Sequence, residues 1–330
     1  MSNLSKLSSR LMKYRHQLGV ALIVAIFVGA VYACWSMVRS INLSQLHAAL
    51  VAVPPQWIVG AVLAAVGSYV MLLGYEWSAT RYAGVSVPSR ALVMAGACAS
   101  AVGNAIGLSM LSGGAVRYRL YFPHGIEPAD VARMSAFVSL ALGCALPPLA
   151  AVAALIHVDA AAQALHLSRS WVIGIGIAVL VGYLLLVGIL ATRRSAHCPT
   201  PFTRQFHLWH WRFRLPNMVL SALQLLITLL DVICASAVLY LLIPGDIPFT
   251  TFMMVYLLAL ATGVLSHIPG GFGVFEMIIL SAFKGSVGEA PLLAAILLYR
   301  AIYVLLPLVL ACLALLCCEL VRLRRHRSAS

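Results

Sequence analysis

Charged residues are scarce in this chain. They make up 9% of its 330 residues, and only nine of them are acids. With 62% hydrophobic residues and a mean hydropathy of +0.99, no water-soluble fold of this size could hide the apolar surface. Long polar stretches are missing too. The N-terminal tail, the longest internal loop (193–216) and the C-terminal tail are all short, which leaves no room in this sequence for a separate catalytic or nucleic-acid-reading domain. The first apolar run is too long for a cleavable signal, and no small-residue cleavage site precedes a polar mature domain. No CxxC occurs and no His/Cys spacing suits zinc, so the eight cysteines read as small apolar fillers. No nucleophile–base pair and no clustered metal ligands stand out. The expectation is therefore a non-enzyme without cofactor or metal.

What the sequence does contain is membrane-length runs. About 20 apolar residues cross a bilayer as a helix. Six runs qualify: roughly 18–40, 55–78, 131–156, 171–192, 217–242 and 290–318. Two more, 91–112 and 250–284, are long enough but interrupted. The net charge of +13 is concentrated before the first run, in 193–216 and at the C-terminus. The positive-inside bias places all three regions, and both termini, in the cytoplasm. The basic-aromatic stretch "FHLWHWRFRL" reads as resting on anionic headgroups, with no nucleic-acid partner. Parity then allows 91–112 and 250–284 to enter and turn back, but not to cross. Gly103, Asn104, Gly107 and Ser109 suit a break in the first segment. Pro269, Gly270 and Gly271 suit a reversal in the second.

"LSMLSGG" (108–114) and "LSHIPGG" (265–271) share Leu-Ser-x-x-x-Gly-Gly at an offset of 157, and the surrounding runs recur at similar offsets. The expected fold is all-α. It is a polytopic membrane protein with six full spans plus two broken or re-entrant hairpins, in an inverted repeat. Residues 1–330 form a single membrane domain, with halves of roughly 18–156 and 171–318. Inverted repeats with broken helices meeting near the midplane are a transporter architecture.

Ionisable groups inside the membrane are functional candidates. Arg117 and Arg119 follow Gly113 and Gly114, and Glu276 follows Gly270 and Gly271; at the repeat offset Arg119 corresponds to Glu276. Glu76, Asp231 and Arg300 lie in spans, and His267 lies at the second apex. Each also has a structural reading. Glu276 would favour a helix N-terminus, the two arginines would sit at headgroups, Glu76 would be solvated and His267 would satisfy its apex. Asp231 and Arg300 have similar expected depths, about 15–17 Å, and are expected to pair. The functional reading makes Gly113, Gly114, Arg117 and Arg119 a phosphate site at a half-helix start. It makes His267, Gly270, Gly271 and Glu276 a site for a cationic group or a proton.

The stretches "GGAVRYRLY" (113–121), "SHIPGGFGVFE" (266–276), "YRAIYVLLP" (299–307) and, more loosely, "GYEWSATRYAG" (74–84) resemble the flippase half of the bacterial multiple peptide resistance factors. They also resemble the stand-alone inner-membrane proteins of the lysylphosphatidylglycerol synthase transmembrane-region family. The resemblance implies movement of an aminoacylated or other anionic phospholipid between leaflets of the bacterial cytoplasmic (inner) membrane. It points to Arg117, Arg119, Glu276 and Arg300. The domain that transfers the amino acid is absent from the sequence, so a separate lipid aminoacyltransferase is an expected partner, and a homo-oligomer is compatible. A small-solute secondary transporter, a non-transporting membrane partner of a lipid-modifying synthase, and a membrane-embedded lipid enzyme stay open as alternatives.

Overall fold

The computed structural model describes residues 53–106, 109–192, 203–208, 211–266 and 273–327. The apolar run 18–40, and His267, Gly270 and Gly271, lie outside the described residues. The elements are α1 (Pro55–Ala83), α2 (Ser89–Ile106), α3 (Ser109–Tyr121), α4 (Pro128–Ile156), α5 (Val158–Leu165), α6 (Arg169–Thr192), strands β1 (Thr203–Leu208) and β2 (Trp211–Pro216), α7 (Met218–Tyr240), α8 (Phe249–Leu265), α9 (Val274–Val287), α10 (Glu289–Tyr299) and α11 (Leu306–Arg327). A π-helical turn, Arg300–Leu305, joins α10 to α11.

Five helical stretches among the described residues are long and apolar enough to cross a membrane: Pro55–Ala83, Pro128–Ile156, Arg169–Gly188, Val219–Tyr240 and Glu289–Val321. They correspond to five of the six expected spans. Sequence chemistry sets their ends. Pro55 and Pro128 occupy first-turn positions, where the missing N–H costs nothing. Gly84, at φ 76°, closes α1 with its N–H on the Thr80 carbonyl. The Asn217 side chain caps α7 by accepting from the Leu220 N–H at 2.8 Å.

The two interrupted runs form helix pairs, α2/α3 and α8/α9. Their arms have 18, 13, 17 and 14 residues. At 1.5 Å per residue none of the four reaches the ~30 Å of a bilayer core. In the first pair α2 runs to Ile106 and α3 from Ser109, while Gly103 and Asn104 remain inside α2. Those two residues do not interrupt the helix. Gly103 instead lets the arms close: a Cβ there would meet Ser109 Cβ at 3.0 Å, and one on Gly113 would meet the Ala99 carbonyl oxygen at 3.0 Å. The order long helix, helix pair, long helix over 55–156 recurs over 218–327. Within 193–216, read from sequence as a plain loop, β1 and β2 pair antiparallel, with Phe206 opposite Phe213 and Leu208 opposite Trp211.

The packing suits lipid as the solvent. Large side chains such as Leu63 and Leu184 are about two-thirds exposed, while Ala61, Ala95 and Ala99 are buried between helices. Where lipid is as apolar as the interior, close backbone approach drives association. The α1–α7 contact shows this. Gly60, Gly67 and Gly74 stand seven residues apart, and a Cβ on each would meet Leu241, Cys234 and Ile227 respectively at 3.2 Å. Rising numbers on α1 meet falling numbers on α7, so the helices run antiparallel.

Gly67→Val should therefore lower folded-state stability by about 1–3 kcal/mol, with Cys234→Ala in the same chain restoring part of it. Gly143→Ala, where nothing lies within 4 Å of the added carbon, should be neutral. Thermal unfolding in detergent checks both.

Candidate functional site: charges buried between helices

One polar seam runs along the α1–α7 contact. The Ser78 hydroxyl donates to Gln224 Oε1 at 2.6 Å, the Tyr75 hydroxyl to Thr228 Oγ1 at 2.8 Å, and the Ser68 hydroxyl to Asp231 Oδ1 at 2.5 Å. Ser68 also shares a 2.8 Å hydrogen bond with the Tyr303 hydroxyl. Ser68 lies within one residue of the middle of α1, and Asp231 within two of the middle of α7. In a spanning pair of helices that contact is far from either water phase.

Glu76 has no exposed surface, so it is not a solvated interfacial acid. Its Oε2 accepts from Arg117 Nε and its Oε1 from the Tyr121 hydroxyl, each at 2.8 Å. Arg117 is itself 3% exposed. Gly96 on α2 makes room for this acid, since a Cβ there would meet Glu76 Cβ at 3.0 Å. Arg117 therefore ties the first helix pair to α1, and its guanidinium is occupied by a carboxylate.

Arg119 points elsewhere. It forms a two-pronged pair with Glu319 on α11, Nε to Oε1 at 2.7 Å and Nη2 to Oε2 at 2.5 Å, with about a fifth of each side chain exposed. Gly113 and Gly114 do not form a cradle at a helix start. α3 begins at Ser109, so both lie a turn inside it. There Gly113 packs on Ala99, and Gly114 packs on Ser135.

Glu276 serves two roles. As the third residue of α9 it accepts the Gly273 N–H on Oε2 at 2.7 Å, capping the helix, while Oε1 accepts from Arg300 Nε at 2.5 Å. Arg300 Nη2 completes the ion pair. The expected Asp231–Arg300 pair is not formed: Arg300 turns to the second helix pair, and Asp231 has no ion pair among the described residues. Similar depth along two helices does not fix which way their side chains face. Around these groups lies an aromatic cluster. Tyr299 stacks on Tyr303 and Phe275, and the Tyr256 and Tyr299 hydroxyls are 2.8 Å apart.

Sequence reading missed Glu319, Ser68, Tyr121, Tyr303 and the π turn. Glu319 was legible in principle, as the one acid after Glu289. The π turn, a rarity that recurs at functional sites, starts at Arg300 and carries Tyr303; no residue pattern announces it.

These features define a polytopic helical membrane protein whose core is crossed by ion pairs and hydroxyl chains. The chain matches the family described as the lysylphosphatidylglycerol synthase TM region over residues 18–311, and it belongs to that family. It is 32% identical over 275 residues to an uncharacterized protein of Synechocystis sp., covering 82% of either chain. It is 26% identical over 286 residues to the inner membrane protein YbhN of Escherichia coli, covering 82% of this chain and 84% of that one. It is also 40% identical to the phosphatidylglycerol lysyltransferase of Staphylococcus xylosus, but over only 81 residues, a tenth of that protein.

Arg117→Ala should cost about 3–5 kcal/mol of folded-state stability, because it strands a buried carboxylate. Glu76→Gln combined with Arg117→Gln should cost less than Arg117→Ala alone. Folded yield and thermal unfolding of the purified variants decide the order.

Proposed function

We propose that this protein moves a phospholipid with an anionic or aminoacylated headgroup between the leaflets of the bacterial inner membrane. The observation that carries this reading is the Arg119–Glu319 pair. A guanidinium fork already shaped to a carboxylate fits a phosphate equally well. Its partial exposure at the junction of the first helix pair and α11 leaves a headgroup able to compete with Glu319. Arg117 is assigned a structural role instead, because Glu76 and Tyr121 enclose it. The second helix pair offers the opposite polarity: Glu276 could trade Arg300 for an ammonium on the cargo.

The relatives lend support. One set acts on phosphatidylglycerol, and another protein of similar length resides in an inner membrane. The basic clusters favour cytoplasmic termini, and on that topology Arg119 and Glu319 lie towards the cytoplasmic face. A separate lipid aminoacyltransferase would be the supplier of an aminoacylated cargo. A transporter needs no nucleophile; its chemistry is the exchange of ion-pair partners.

The test uses liposomes holding the purified protein, a fluorescent phosphatidylglycerol and a leaflet-selective quencher. The protein should speed equilibration between leaflets relative to empty liposomes, and more so for phosphatidylglycerol than for phosphatidylcholine. Arg119→Ala should abolish that acceleration while leaving thermal unfolding near wild type, and Arg119→Lys should recover only part. Wild-type movement by Arg119→Ala, or no acceleration by the intact protein, contradicts the reading.

A further inference from the structure

Among the described residues, Asp231 is the one candidate charge that the ion pairs leave aside. It is 7% exposed, at the middle of α7. Its Oδ1 accepts from Ser68, and Oδ2 accepts no hydrogen bond among the described residues. The ionisable groups around it are the Tyr69 and Tyr75 phenols from α1, Cys234 on its own helix, Tyr256 from α8, Tyr299 from α10 and Tyr303 from the π turn; none is cationic. On α4, which also packs against α7, Asp130 and Arg133 are paired with each other in the opening turns. Arg300, adjacent to Tyr299, is engaged by Glu276.

A carboxyl group at that depth needs a compensating cation. A metal ion would need several oxygen ligands. α7 is unbroken at Asp231, so its carbonyls are committed to the helix, and among the described residues Ser68 supplies the hydroxyl hydrogen-bonded to the carboxylate. A proton needs no such shell. The neighbours also form a path. Ser68 links Asp231 to Tyr303, and in that bond either oxygen can donate. With the carboxyl charged, Tyr303 donates to Ser68 and Ser68 to Asp231. With it protonated, Asp231 donates to Ser68 and Ser68 to Tyr303. Each proton hop along the chain leaves every oxygen with its full valence. Towards the end of α1 the seam continues through Thr228 and Gln224, and the buried Gln224 Nε2 has no acceptor among the described residues. Buried donors of that kind are commonly met by water.

We propose that Asp231 is an exchangeable proton site at the centre of the membrane, read through the Ser68–Tyr303 hydroxyl chain, and that its loading couples a proton to the lipid movement. The coupling rests on the transport reading; the proton site does not. Ser68 and Asp231 lie on α1 and α7, and Tyr303 lies on the last span. A change in the direction of their hydrogen bonds is therefore felt by three helices together.

Two measurements test this on the full-length protein in liposomes. Infrared difference spectra between acid and neutral pH should show a carboxyl C=O band that Asp231→Asn removes. Ser68→Ala, which keeps the carboxyl, should displace the pH at which that band appears. A band unchanged in both variants overturns the proton site. An imposed pH gradient should also skew the steady-state leaflet ratio of labelled phosphatidylglycerol in the wild type. At one proton per lipid the skew is about tenfold per pH unit, equivalent to about 1.4 kcal/mol, and it should vanish in Asp231→Asn. A wild-type ratio blind to the gradient overturns the coupling. If no lipid moves under any condition, the transport reading fails, and the infrared band still decides the proton site.

Discussion

The constraint on which this structure depends is the cost of a charge in hydrocarbon. An isolated ion at mid-bilayer costs at least ~2.5–3.5 kcal/mol, and this chain buries charged side chains among its apolar helices, Glu76, Arg117, Asp231 and Arg300 among them. It compensates three arginines with acids from other helices: Arg117 with Glu76, Arg119 with Glu319 and Arg300 with Glu276. Every pair joins one of the two broken helix pairs to a long helix. The charges thus act as joints, holding segments that are too short to anchor themselves across the membrane. The same joints can open, because a headgroup carrying phosphate and ammonium offers substitute partners of both signs.

Backbone proximity makes those joints reachable. Alanine-rich and glycine-bearing faces bring α1 against α7 and α2 against α3, so that polar side chains only one or two bonds long, such as Ser68 and Ser78, meet partners across the interface. Bulkier residues at Gly67 or Gly96 would separate the helices and leave the acids without donors. The π turn contributes differently: it inserts a register change in the last span at Arg300. There one helix presents Arg300 to Glu276 and Tyr303 to Ser68 within a single turn.

Much of the architecture was legible in the residues because hydrophobic length is a one-dimensional signal. Five described spans fall where the apolar runs lie, and the interrupted runs became helix pairs. The breaks were less legible. Gly103 looked like an interruption and Gly113 like part of a helix start, but both are packing positions, since glycine in a membrane helix signals close approach as readily as a turn. Glu76, Arg117, Arg119, Asp231, Glu276 and Arg300 were singled out, for any ion in such a chain is conspicuous. Their pairing was not, because it depends on which face of each helix looks inward. Depth counting placed Asp231 beside Arg300, yet rotation about the helix axis gave Arg300 to Glu276. Glu319 escaped notice because it stands among arginines at a helix end, where an acid looks merely solvated.

The central claim is the assignment of partners, with Arg300 locking the second helix pair and Asp231 standing apart. Two double-mutant cycles on folded stability address it directly, one with Glu276→Gln and Arg300→Gln, the other with Asp231→Asn and Arg300→Gln. The account predicts coupling of about 0.5–3 kcal/mol in the first cycle and additivity within ~0.5 kcal/mol in the second. Strong coupling between Asp231 and Arg300, with none between Glu276 and Arg300, would contradict it.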